Sequence, residues 1–128
     1  MKYAANIAGG LLGLLFIAFS SMYLLNIIPK MDPPPEGSPA AMFMGAFGPT
    51  GYLTFVKTFE LIGGILVAIP LTRNFGLLVL GPIILNIIAF HAFITKGEGL
   101  NNPILIAIVL LAAFCLWCGR KKFAGLRN

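Results

Sequence analysis

Four side chains stand where an apolar run should reject them. Lys57 and Glu60 lie within GYLTFVKTFELIGGILVAIP, and Asn86 and His91 lie within GLLVLGPIILNIIAFHAFI. An ionisable group inside a membrane span opposes insertion by roughly 2.5–3.5 kcal/mol, so each is read first as a functional group. Lys57 and Glu60 are i,i+3 neighbours on a helix and can pair. Such a pair either holds helix register, relays a proton or binds a polar head group. Asn86 and His91 are separated by about 140° around a helix, so one faces the bundle core while the other faces a different helix or a subunit contact. His91 is the only histidine. It can bond a neighbouring helix or interfacial water, hydrogen-bond a quinone head group, or serve as an axial ligand to a tetrapyrrole. The candidates for proton chemistry are Glu60 and His91, and the candidates for cofactor contact are His91, Asn86 and Lys57. Cys115 and Cys118 form a C-x-x-C at the end of the last apolar run. With no second cysteine pair, it reads as a structural or lipid-facing feature and not as a metal or redox site. There is no phosphate loop, catalytic triad or HExxH motif, so the chain has no self-contained catalytic apparatus.

These groups are positioned by four apolar runs, at about residues 6–28, 52–70, 75–94 and 103–118, each read as a membrane-spanning helix. The first is too long for a secretory h-region, although Ala18-Phe19-Ser20 loosely resembles a cleavage site. Its Gly9 and Gly13 have the small-xxx-small spacing that permits close helix approach. Residues 29–51 form an outer loop that opens with PKMDPPPEGSP, where three prolines favour an extended chain. Ser38-Pro39 then signals a cap and first turn, and AAMFMGAF reads as a short interfacial helix. The second span stops at Pro70. A turn of about five residues joins it to the third, which carries Gly81-Pro82, where the loss of one backbone hydrogen bond predicts a kink. Asn102-Pro103 opens the fourth. In this arrangement Lys57 and Glu60 lie about 8–12 Å below the outer surface at 1.5 Å rise per residue. His91, Asn26 and Lys30 belong to the same outer half.

The composition agrees with a lipid solvent. The 128 residues are 59% hydrophobic and only 10% charged, too apolar for so short a chain to bury its excess in one core. The net charge of +5 reflects topology and not nucleic-acid binding, because the basic residues sit at the ends of apolar runs. Lys2, Arg73, Arg120, Lys121, Lys122 and Arg127 fall on one side. Lys30, Lys96, Asp32, Glu36 and Glu98 fall on the other. By the positive-inside rule both termini are cytoplasmic. The expected fold class is all-α: a single-domain integral membrane four-helix bundle over residues 1–128, multi-pass in a bacterial inner membrane.

The segment FELIGGILVAIPLTRNFG, followed by LGPIILNIIAFHAFI, resembles the DoxX-like family of small four-helix membrane proteins. The opening GLLGLLFIAFSSMYLLNIIPK is similar more loosely. Glu60, Gly63, Gly64, Arg73, Pro82, Asn86 and His91 match the pattern, whereas Lys57 lies outside it. The family takes its name from a subunit of a thiosulfate:quinone oxidoreductase, so the resemblance implies a link to membrane redox systems. The expected function is a non-catalytic accessory or structural subunit of a larger membrane redox or photosynthetic complex. Its partners would be the bilayer and other membrane subunits, or further copies of itself. The alternative is a quinone-interacting oxidoreductase subunit with Glu60 and His91 in proton exchange.

Overall fold

A computed structural model describes residues 2–27 and 33–127. Lys30 and Asp32, both assigned to the outer loop, lie outside the described residues. Every regular element is helical. In chain order they are α1 (Lys2–Leu24), α2 (Pro39–Phe47), α3 (Tyr52–Ala68), a 3₁₀ turn (Pro70–Thr72), α4 (Arg73–Ala89), a π-helical turn (Phe90–Ile94), α5 (Pro103–Cys118) and α6 (Arg120–Ala124).

Local chemistry sets most of these limits. Ser38 accepts from the Ala41 N–H at 3.2 Å, and Asn102 accepts from the Ile104 N–H at 2.9 Å. Each cap is followed by a proline whose missing N–H is not needed in a first turn. α3 stops because Pro70 disfavours helical geometry in Ile69, which is extended at φ −88° and ψ 120°. The freed carbonyls of its last turn are then taken by the connection. Thr72 Oγ1 donates to the Leu66 carbonyl at 2.8 Å, and Arg73 Nε donates to the Val67 carbonyl at 3.0 Å. α1 ends at Leu24, short of the expected residue 28. Asn26 there adopts a left-handed φ of 58°, while the Asn26 and Ile27 amides return to the Tyr23 and Met22 carbonyls. This is a Schellman ending with asparagine in the place usual for glycine.

α1, α3, α4 and α5 share one core. It is built from Ala8, Leu12 and Phe16 of α1, Val67 of α3, Leu77, Leu80 and Ile84 of α4, and Ile108, Ala112 and Cys115 of α5. Glycines set the closest approaches. A Cβ on Gly13 would stand 2.5 Å from the Gly64 carbonyl oxygen, and one on Gly76 would stand 2.5 Å from the Val67 backbone nitrogen. α1 and α3 run antiparallel, with Gly13 beside Ala68, Gly64 beside Phe16, and Lys57 beside Tyr23.

The outward faces stay apolar. Ile7, Leu14, Leu85 and Leu110 are each more than three-fifths exposed, which is the pattern of helices surrounded by lipid. Lys2–Leu24, with 23 residues, and Pro70–Ile94, with 25, are long and apolar enough to cross a membrane. α2 and α3 supply a third only as one span broken by an 85° bend. α5 has 16 residues, which rise about 24 Å against a hydrocarbon core of about 30 Å. Length and composition therefore support two to three spanning helices. α2 has no buried residue and touches the rest through rings: Phe43 packs edge-on against Phe90 at 4.9 Å, and Phe47 lies 4.8 Å from Tyr52.

Candidate functional site

The four polar residues picked out by their setting do not form one site. Lys57 and Glu60 do meet. Lys57 Nζ lies 2.9 Å from Glu60 Oε2, and its ammonium stands 5.8 Å from the centre of the Tyr23 ring. Glu60 is 4% exposed, whereas the Lys57 side chain keeps 30% of its surface open. The carboxylate thus points into the α1–α3 contact, while the lysine leans outward along α1. The antiparallel register sets Ser20 level with Glu60, but the Ser20 hydroxyl turns back to the Phe16 carbonyl of its own helix. Lys57 is therefore the only charged partner of Glu60 among the described residues.

Asn86 is exposed on α4, and its side-chain amide donates to the Pro82 carbonyl at 3.1 Å. His91 sits in the π-helical turn and organises the loop after it. Its Nδ1 lies 3.1 Å from the Glu98 carbonyl oxygen, and its own carbonyl accepts from the Gly97 amide and from Thr95 Oγ1. A carbonyl can only accept, so Nδ1 is the nitrogen that donates in this contact. Among the described residues no hydrogen bond or ion pair joins His91 or Asn86 to Lys57 or Glu60.

The fit of His91 into its loop depends on Gly99, which has a φ of 90°; a Cβ there would stand 2.9 Å from His91 Nδ1. Gly99→Ala is expected to expel the ring and to strain the backbone by about 1 kcal/mol or more. Hydrogen exchange should then accelerate through residues 95–99 while the α1–α3 amides keep their protection.

A second polar cluster, at the opposite end of the helices, was not singled out by sequence reasoning. Arg73, assigned to the inner turn among the cytoplasmic charges, is buried at 8% exposure. Its Nη1 donates to Asn6 Oδ1 at 3.0 Å and its Nε to Val67, so it ties α1 to the end of α3. Gly9 makes the room: a Cβ there would collide with the Arg73 guanidinium at Nε. The third guanidinium nitrogen, Nη2, is buried with no hydrogen-bond partner among the described residues. Arg73 and Cys115 line an open cleft of about 340 Å³ together with Asn74, Cys118, Lys121 and Lys122. A neighbouring cleft brings Lys2 to Arg120 and Lys121, and the Arg120 guanidinium stacks 4.0 Å from the Trp117 ring. Both cysteines are free thiols. The sequence signal was present in Asn6 and Gly9, one helical turn apart, but nothing local says that a turn arginine lands on them.

Fold and polar geometry together define an all-helical protein with two to three helices long and apolar enough to cross a membrane. Comparison with protein-family models, curated proteins and solved structures gives no match.

Proposed function

We propose that the chain is an integral four-helix bundle of a bacterial inner membrane, in which α1, α3, the α4 segment and α5 all cross the bilayer. Both termini are cytoplasmic. Its function is that of a DoxX-like, non-catalytic accessory subunit of a larger membrane redox or photosynthetic assembly. Support for the orientation comes from Lys2, Arg73, Arg120, Lys121 and Lys122, which gather around two adjoining clefts at one end. Support for the subunit role comes from Asn86. It stands eight residues before Ile94, about 12 Å inside the outer end of the helical segment, and it is exposed there. Its Oδ1 has no partner among the described residues. A side-chain amide facing lipid at that depth is unfavourable, and an amide or hydroxyl on a neighbouring subunit relieves it.

Native purification in mild detergent with mass spectrometry tests this reading. Co-purification with other membrane subunits is expected, and Asn86→Leu should reduce it at least several-fold while leaving the isolated chain folded. A wild-type chain that stays monomeric in native membranes would overturn the proposal.

One observation favours the quinone alternative. The Nδ1 contact leaves His91 Nε2 without a partner among the described residues and open to a hydrogen bond with a quinone head group. In that case Glu60→Gln and His91→Ala would abolish quinone-dependent turnover with assembly intact.

A further inference from the structure

We propose that the cleft at the inner end, between the start of α4 and the α5–α6 junction, binds a phosphate group, with the headgroup phosphodiester of an anionic membrane lipid as its natural source. The charge balance points there. The acidic residues of the chain are Asp32, Glu36, Glu60 and Glu98; of the described ones, Glu60 pairs with Lys57 and Glu36 and Glu98 lie in the connections at the other end of the helices. The cleft gathers Arg73, Lys121 and Lys122 with no carboxylate among its lining residues. A buried guanidinium without a counter-ion is unfavourable, and an anion resolves it.

Arg73 is also more than nine-tenths buried and holds one nitrogen without a partner among the described residues. Its Nε and Nη1 are committed to Val67 and Asn6, so the guanidinium is held in place before any ligand arrives. The geometry around it suits a phosphate. The lining residues Arg73 and Asn74 begin α4, a helix of 17 residues, whose first amides and dipole favour an anion. Asn74 Oδ1 would lie 2.7 Å from a Cβ on Gly119, so the α5–α6 junction closes against α4 only because residue 119 is glycine. That closure brings Lys121 and Lys122 to the rim, where two flexible ammonium groups can reach a headgroup at the cytoplasmic leaflet. The inference uses the membrane placement proposed above and is independent of the subunit role, because binding is read on the isolated chain.

The test is native mass spectrometry of the full chain in mild detergent, titrated with phosphatidylglycerol or phosphatidylcholine. The wild type is expected to retain one phosphatidylglycerol at concentrations where phosphatidylcholine is lost. Lys121→Gln with Lys122→Gln should weaken that retention about tenfold. Arg127→Gln, which removes a charge outside the cleft, should leave it unchanged. Arg73→Gln should also lose the lipid, but the lysine pair carries the test if that variant fails to fold. Millimolar inorganic phosphate should compete the lipid off. Protection of the wild type by inorganic phosphate without lipid retention would assign the same site to free phosphate. Equal retention of the two lipids would mean that the cleft selects no anionic headgroup, equal loss in the Lys121/Lys122 and Arg127 variants would mean a diffuse basic surface, and either result would overturn the proposal.

Discussion

Gly13→Leu is expected to leave no folded protein to purify, whereas Gly10→Leu, three positions earlier on the same helix, should be tolerated. A Cβ at Gly13 meets the Gly64 carbonyl oxygen at 2.5 Å, the Ala68 Cβ at 2.7 Å and the Ala68 nitrogen at 3.0 Å. None of these is the end of a flexible side chain, so α1 and α3 must separate. Even alanine there should cost about 1–3 kcal/mol, the range for overpacking a well-filled contact. Leucine adds three more carbons against a total stability of only about 5–15 kcal/mol. A Cβ at Gly10 meets nothing within 4 Å, and replacing glycine there gains up to about 1 kcal/mol of helix propensity. The readout is the monodisperse fraction on size exclusion in detergent, with the melting temperature of whatever survives. Equal yields of the two variants would show that α1 and α3 are not in this contact.

The second large effect is an asymmetry within the Lys57–Glu60 pair. Lys57→Met leaves Glu60, at 4% exposure, without its counter-ion, and should destabilise by up to about 3–5 kcal/mol. Glu60→Gln removes the other charge. Lys57, with its side chain 30% exposed, can then extend toward the outer interface, so the loss should be nearer about 1 kcal/mol. The double variant, Lys57→Met with Glu60→Gln, should recover most of the stability lost by Lys57→Met alone, because replacing both members of a buried pair is often close to neutral. Unfolding of all four proteins in one detergent closes the cycle and yields the coupling energy. Strict additivity would mean that the pair is not formed. The cycle also bears on function. If Glu60→Gln lowers stability but leaves quinone-dependent turnover intact, the carboxylate serves as a register pin between α1 and α3, and any proton exchange must be sought elsewhere.

These expectations divide the chain by position. One end of the helices holds a closed ion pair and a histidine engaged with its own loop, and both act on the scaffold. The opposite end holds an arginine with one nitrogen unpartnered among the described residues, beside a cleft lined by lysines. The exposed amide of Asn86 belongs to neither and marks the α4 surface on which a neighbouring subunit is proposed to sit.

The amino-acid sequence alone determined whatever rests on neighbours along the chain. Ser38-Pro39 and Asn102-Pro103 start helices because a cap and a proline need only the next few residues to act. Pro70 ends α3 through its clash with the residue before it, and Lys57 meets Glu60 because i,i+3 is a fixed distance on any helix. The apolar runs announce a lipid solvent whatever they pack against. Tertiary structure decided the rest. The spacing of Gly9 and Gly13 announces close approach, yet only the fold gives Gly13 to α3 and makes Gly9 accommodate an arginine more than sixty residues away. Arg73 looks like a turn charge until α1 folds across it. His91 looks like a companion of Glu60 in proton chemistry until the π-helical turn gives it to a loop, and Asn86, a candidate for cofactor contact, falls on the exposed face of α4. In each case the deciding quantity is which atoms lie across a helix–helix contact, and a spacing read along one helix does not contain the rotation of the next.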